Sequence, residues 1–412
     1  MTEGLRQKAL GLAVAPLLGP LYGALSLASL GLWALKFLAQ LPALAQDPGR
    51  RRRALQEGAV AYWVAYFVCS PMLGPLALLL VMHHGGLAGR VAGAAYIVYI
   101  FVLDRRPYDG SATKREITFG FMTGVLELMS EVSARPPVPP HTHRPDPSSA
   151  DARPQYFAAE LVVTEDLDPS RRYIVGYHPH GILSFGFVTN FRRAGPGSFG
   201  ERFPFIDLRP MTLRANFYSP FCREILISMG ICEVGRTTID RVLARGSGSA
   251  VGIVVGGAAE AIDTRPGHFD LTLANRKGFV RAALKNGADL VPCLTFGEND
   301  VFDMAAVPGG ALDEMVRAMK AVFGATVPLF YGRGHTRVGV GLLPHRKKLT
   351  TVCGRPIRVE RFEGPFQALF EGEGKAKVDA LHAEYVAALK EIYDRHKAEL
   401  FLDKKATFVT KT

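Results

Sequence analysis

Tyr177-His178-Pro179-His180-Gly181 is the most chemically suggestive string in this 412-residue sequence. It follows directly on Tyr173-Ile174-Val175-Gly176, a strand-like run, so two imidazoles fall on a loop just past a strand's end. In α/β proteins the carboxyl end of a strand is where ligands bind. A neutral imidazole, with an ordinary pKa of about 6.5, can take the proton from a hydroxyl as it attacks an acyl carbon. Two other readings fit such a pair: core rings bonded to carbonyls, or a His-x-His metal site. The metal reading lacks third and fourth ligands at a recognisable spacing.

A second string runs from Val251-Gly252-Ile253-Val254-Val255 into Gly256-Gly257-Ala258-Ala259-Glu260. A glycine pair after a buried strand lets main-chain N–H groups approach an oxyanion or a phosphate, and Glu260 could orient a histidine. A dinucleotide-binding turn is the rival, but the GxGxxG pattern is not completed. A third string, Asn275-Arg276-Lys277-Gly278-Phe279, opens a predicted helix that stops at Gly287, and Leu290-Val291-Pro292 then leads to Phe296-Gly297-Glu298-Asn299. Arg276 and Lys277 gain nothing from a helix dipole at that end. A bound polyphosphate such as coenzyme A would account for them, and ordinary surface cations are the alternative. GxSxG, GxxxxGK, HExxH and CxxC are all missing, so hydrolase, nucleotide-triphosphatase and zinc-protease readings lack support.

These strings need a sheet to carry them. Short β-rich runs at 172–177, 250–255, 290–296 and 350–352 alternate with helical patterns, which predicts an α/β domain with a mostly parallel sheet. A final helix is predicted from Val378, Leu381, Tyr385, Ala388, Leu389 and Ile392, spaced by three and four, and its expected role is to pack on that sheet. Upstream, residues 133–154 read as a Pro-rich exposed linker. Before it lie apolar blocks at 59–82 and 87–103 separated by His83-His84-Gly85-Gly86, a predicted membrane hairpin. The rival is a buried helical pair in a soluble core. Residues 10–45 form another apolar run whose only charge is Lys36. It is too long for the core of a signal peptide and is expected to stay attached. Arg50 to Arg53 and Arg105-Arg106 flank the hairpin, so the positive-inside rule puts both its ends and everything downstream in the cytosol.

Composition agrees with this division. The chain is 48% hydrophobic and 21% charged, and its mean hydropathy of +0.11 is high for a wholly soluble enzyme. The net charge of +11 suits an anionic membrane surface or a phosphate-rich ligand. No basic stripe interleaved with aromatics supports nucleic-acid binding. Five scattered cysteines, Cys69, Cys222, Cys232, Cys293 and Cys353, argue against a disulfide scaffold or a thiolate zinc site.

Taken together, YHPHG, VVGGAAE, RKGF with its downstream LVPxxxFGEN, and YGRG at 331–334 resemble the motifs of the type-2 diacylglycerol acyltransferase family. The resemblance runs from about Tyr156 to the C-terminal helix. It implies a membrane hairpin at 59–104 after an apolar and basic segment at 1–58, a connecting segment at 105–154, and a glycerolipid-acyltransferase-like α/β domain at 155–412. The implied reaction moves a fatty acyl group from acyl-CoA to diacylglycerol, with no metal and no cofactor beyond the acyl-CoA co-substrate. Monoacylglycerol or fatty-alcohol acceptors, or a catalytically silent lipid-droplet scaffold, are the alternatives. The implied partners are acyl-CoA, a neutral glycerolipid, the bilayer and the lipid-droplet surface, and a homo-oligomer is left open. The implied location is the endoplasmic-reticulum membrane, multi-pass, with the catalytic domain facing the cytosol.

Carried residue by residue, the resemblance makes His180 the base, with His178 a close second and Glu260 the partner of the imidazole. Tyr177, Pro179, Gly181, Gly256, Gly257, Arg276, Lys277, Gly278, Phe279 and Glu298 become substrate-binding residues. One departure stands out: where the wider glycerolipid acyltransferases place an aspartate after their histidine, this chain has Leu183 and Phe185. Glu260 is the expected replacement. A ternary complex is expected, with a cysteine acyl-enzyme through Cys222, Cys232 or Cys293 as the rival.

Overall fold

The computed structural model describes residues 31, 34, 38, 47–112, 122, 124–129, 156–192, 197–305, 309–323, 328–334, 339–400 and 407–411. The predicted linker and nearly all of the first apolar run lie outside these residues.

The first helix, α1 (Pro48–His84), starts where it does because Asp47 Oδ1 accepts hydrogen bonds from Gly49 N at 2.9 Å and Arg50 N at 3.0 Å, with proline at the first helical position. It bends by 68° between Pro48–Ser70 and Leu73–His84, where the sequence carries Pro71 and Pro75. Gly85 separates it from α2 (Gly86–Val98), which continues as a π-helical turn (Tyr99–Leu103) and the short α3 (Arg106–Asp109). The two helices pack backbone to backbone. A Cβ on Gly89 would strike the Val81 carbonyl oxygen, and one on Gly93 would strike the Met82 side chain.

The predicted hairpin is corrected in one respect. Val60, Trp63, Val64, Val68 and Cys69 are buried in the same core as Tyr156, Phe157 and Phe217, so the first half of the predicted limb at 59–82 lies within protein. A run of apolar residues reads alike whether lipid or protein surrounds it. Beyond the bend the pattern reverses: Leu76, Leu79 and Leu80 of α1 are exposed, as are Leu87, Val91, Phe101, Val102 and Leu103. Among the described residues one helical stretch, Gly86–Asp109, is long and apolar enough to cross a membrane, with the bent α1 as a second only if both its halves are counted together.

The α/β domain follows: β1 (Ala158–Val163), β2 (Tyr173–His178), β3 (Asp207–Thr212), α4 (Cys222–Ser228), β4 (Cys232–Glu233), α5 (Arg236–Leu243), β5 (Ser249–Val254), α6 (Gly257–Asp263), β6 (His268–Thr272), α7 (Gly278–Asn286), β7 (Asp289–Phe296), β8 (Asp303–Met304), α8 (Ala311–Phe323), β9 (Phe330–Arg333), β10 (Val340–Gly341), β11 (Lys348–Cys353), α9 (Gly372–Leu400) and β12 (Thr407–Lys411). The main sheet has seven strands in the order β1-β11-β7-β2-β5-β3-β4. β7, β2, β5, β3 and β4 run parallel, and β11 and β1 run the other way. The mostly parallel sheet is as expected. Its inner strands β2 and β7 are buried along their whole length, which is why they read as unbroken apolar runs rather than alternating ones. The predicted strands appear, each with one or both ends shifted by one or two residues. The last helix does too, with Val378, Tyr385, Leu389 and Ile392 buried.

Candidate active site

Three adjacent strands, β5, β2 and β7, end side by side, and each of three sequence strings continues from one of those ends. Gly256-Gly257 follows β5, Pro179-His180-Gly181 follows β2, and Gly297-Glu298 follows β7. Strand order therefore gathers motifs that are up to 120 residues apart in sequence at one carboxyl edge.

His178, the last residue of β2, is fully buried. Its Nε2 lies 3.1 Å from Tyr385 Oη, and that hydroxyl donates its one proton to the Gly176 carbonyl at 3.0 Å. Tyr385 must therefore accept from His178 Nε2–H. The tautomer follows: Nδ1 carries the lone pair, and it is buried with no hydrogen-bond partner among the described residues. Burial pushes the ring's pKa down to about 3, so His178 is neutral. Tyr385 itself rests edge-on against Phe279, with ring centroids 4.9 Å apart. Phe279, expected to touch substrate, is buried and instead backs the tyrosine that holds His178. Tyr385 had no functional sign of its own in the sequence. The available signal was Gly176, a glycine inside an apolar strand, where a Cβ would collide with the Tyr385 hydroxyl.

His180 is half-buried. Its Nδ1–H donates to the Gly181 carbonyl at 3.0 Å, which leaves Nε2 with the lone pair and no hydrogen bond to a described residue. Burial lowers its pKa against the raising effect of that carbonyl. Glu260 does not orient the ring, contrary to expectation: its Oε2 accepts from the main-chain N–H of His180 at 3.2 Å. The physical reason is the left-handed turn at Gly181 (φ 57), which puts a carbonyl where an aspartate would otherwise be needed. Glu260 is 2% exposed, and burial pushes its pKa up to about 8 against the His180 N–H, so the carboxyl is mostly protonated at pH 7. Its Oε1 is buried and unpartnered among the described residues. A methyl on Gly256 would run into this carboxyl group, so a glycine is required there.

Glu298, also expected at substrate, is fully buried and clamps the turn instead. It accepts from Tyr177 Oη at 2.8 Å, Phe185 N at 2.9 Å and Gly186 N at 2.7 Å. Burial pushes its pKa up to about 7 against these donors. Tyr177 is thereby committed to Glu298, its ring lying 5.4 Å from Phe187. Gly181 lies against the same clamp, since a Cβ there would approach Glu298 Cγ to 2.7 Å. Pro179 is buried beneath the turn.

The two cations of the third string part company. Lys277 caps α7 and pairs with Asp379 of α9 at 2.8 Å. Arg276 is exposed and makes no ion pair with a described residue, and Gly278 is the exposed first residue of the helix. Of the cysteines, Cys293 lies opposite Tyr177 in the strand pairing. Burial raises the thiol of Cys222 and pushes that of Cys232 up to about 11, while Cys293 is fully buried with its sulfur 3.1 Å from that of Cys353 and is raised well above the usual thiol range. Among the described residues, no three His, Cys, Asp or Glu side chains converge as a metal-ligand set.

Two imidazoles and a buried carboxyl thus gather at the carboxyl edge of the α/β sheet. Residues 150–411 match the family model described as diacylglycerol acyltransferase, and the chain belongs to that family. It is 39% identical over 243 residues to "Diacylglycerol O-acyltransferase 2" of Dictyostelium discoideum, covering 59% of this chain and 71% of that one. Over 250 residues it is 42% identical to "Diacylglycerol O-acyltransferase 2-like protein 6" of Homo sapiens, covering 59% of this chain and 72% of the relative. With "Diacylglycerol O-acyltransferase 2" of Bos taurus the identity is 43% over 250 residues, 60% of this chain and 67% of the relative. No solved structure matches the chain.

Two measurements check this geometry. Tyr385→Phe removes the only acceptor for His178 Nε2–H among the described residues and is expected to cost about 1–3 kcal/mol, read as a lower melting midpoint; an unchanged midpoint would mean that the tautomer is not set by Tyr385. Glu260 and Glu298 have folded pKa values of about 8 and about 7, above the ordinary 4.5. Such groups contribute stability that is complete below 4.5 and lost as pH rises through the folded value. Wild type should therefore lose more stability than Glu260→Gln on going from mildly acidic to alkaline pH, and parallel pH profiles would contradict the buried carboxyl.

Proposed function

We propose that this protein is an acyl-CoA:diacylglycerol O-acyltransferase that forms triacylglycerol with His180 as general base and without a metal. The family supports the reaction. The observation that carries the base is the Nδ1–H bond from His180 to Gly181, which leaves Nε2 free at the sheet's carboxyl edge. His180 Nε2 takes the acceptor hydroxyl's proton while the oxygen attacks the thioester carbonyl. The C–S bond then breaks, and the imidazolium returns its proton to the departing coenzyme A thiolate. Main-chain N–H groups at Gly256-Gly257 and the protonated Glu260 supply donors for the oxyanion. Arg276, unlike Lys277, keeps its charge for the phosphates of acyl-CoA. High thiol pKa values at Cys222, Cys232 and Cys293 disfavour an acyl-enzyme.

The exposed apolar belt of α1 and α2 is the surface that meets the bilayer, and transfer of a water-insoluble acceptor requires such a surface. We place the protein in the endoplasmic-reticulum membrane with access to lipid droplets and its α/β domain on the cytosolic side, where Arg50 to Arg53 and Arg105-Arg106 favour it. Diacylglycerol is preferred to monoacylglycerol or fatty alcohol because the relatives named above are diacylglycerol enzymes by name.

The test is triacylglycerol formation from labelled acyl-CoA in diacylglycerol-containing vesicles. His180→Ala is expected to lower turnover by about 10²- to 10⁴-fold with melting and membrane association unchanged. Near-normal turnover would overturn the base; no product from well-folded wild type would overturn the reaction.

A further inference from the structure

We infer that the protein carries a second binding site, a cavity of four arginines that holds the phosphate headgroup of an anionic phospholipid at the membrane surface. The cavity has a volume of about 560 Å³ and lies beyond the ends of β3 and β4. Arg105, Arg214, Arg236 and Arg241 line it, together with the carboxylates Asp109 and Glu233. None of these arginines has an ion pair among the described residues, and all four are exposed. The fully buried Arg223, by contrast, is paired with Asp104 at 2.8 Å. Four guanidiniums against the two carboxylates Asp109 and Glu233 leave the cavity wall with a surplus of two positive charges, which favours an anion there.

The stems are held ready. Arg214 lies 4.7 Å over the Tyr108 ring and Arg236 4.5 Å over Phe366, contacts that fix the flat face of a guanidinium and leave its N–H edge free for a bidentate phosphate. Glu233 accepts a hydrogen bond from Thr238 Oγ1 at 2.9 Å, which holds its carboxylate on the wall beside the arginines. One wall places the site: Arg105, Tyr108 and Asp109 end the apolar stretch Gly86–Asp109. A cation cluster at the end of a membrane-crossing stretch sits at headgroup depth, where anionic lipids are concentrated. β5 separates this part of the sheet from β2 and the histidines, and none of the residues proposed for acyl transfer lines the cavity.

The test reads binding without turnover, so it stands apart from the reaction proposed above. Full-length protein in a neutral detergent is titrated calorimetrically with short-chain phosphatidic acid, short-chain phosphatidylcholine, coenzyme A and inorganic phosphate. Wild type should bind phosphatidic acid and not phosphatidylcholine. Arg236→Gln/Arg241→Gln should weaken that binding about tenfold or more, while melting and acyl transfer in phosphatidylcholine vesicles stay unchanged. Lys390→Gln/Arg395→Gln, which removes two positive charges from α9, should bind as wild type does. Equal binding by the cavity variant, or equal weakening by the α9 variant, would overturn the site. Cavity-dependent binding of coenzyme A or inorganic phosphate tighter than that of phosphatidic acid would overturn the lipid assignment.

Discussion

Glu298 has no access to water, and the three hydrogen bonds it accepts from Tyr177, Phe185 and Gly186 hold the turn after His180 against the edge of the sheet. A carboxyl group removed from solvent is tolerable only with such donors. Those donors in turn fix where the chain can go. The turn needs left-handed residues at Gly181 and Ser184, and Gly181 lies so close to the clamp that a side chain would not fit. Once the turn is fixed, the Gly181 carbonyl faces its neighbour's imidazole, and His180 acquires its tautomer from the main chain rather than from an acid. The glutamate that follows β7 thus shapes a histidine that follows β2 without touching it.

The second histidine is held by a different part of the molecule. α9 delivers Tyr385 across the sheet face to Gly176 and His178, and α7 supports that tyrosine with Phe279. Lys277, at the head of α7, binds Asp379 of α9, so the same two helices are also tied by charge near the site. The RKGF string accordingly serves two ends. Lys277 and Phe279 fasten helices behind the histidines, and Arg276 lies exposed at the surface with no ion pair among the described residues.

Much of this was legible in the sequence where physics acts locally. Strands buried on both faces leave continuous apolar runs, so β2, β5 and β7 were readable, and the glycine that ends α7 was readable from its left-handed requirement at Gly287 (φ 58). What pairs with what across space was not. Glu260 and Glu298 stand in the strings that carry the family resemblance, yet their partners are main-chain N–H groups and a tyrosine set by the fold. The first apolar limb differs for a related reason: buried Trp63 packs against Phe67 with ring centroids 5.0 Å apart in a protein core, but hydropathy does not distinguish that core from lipid. Tyr385 gave no more than a helical period, and its role appears only when α9 docks on the sheet.

The central claim is that the lone pair on His180 Nε2 receives the acceptor's proton. The most direct measurement is an experimental structure of the full-length protein with a diacylglycerol analogue and a non-reactive acyl-CoA bound together. The account predicts the acceptor oxygen at about 2.6–3.2 Å from His180 Nε2, with Nδ1 still on the Gly181 carbonyl. An acceptor oxygen bonded to His178 Nδ1, or to neither imidazole, would contradict it.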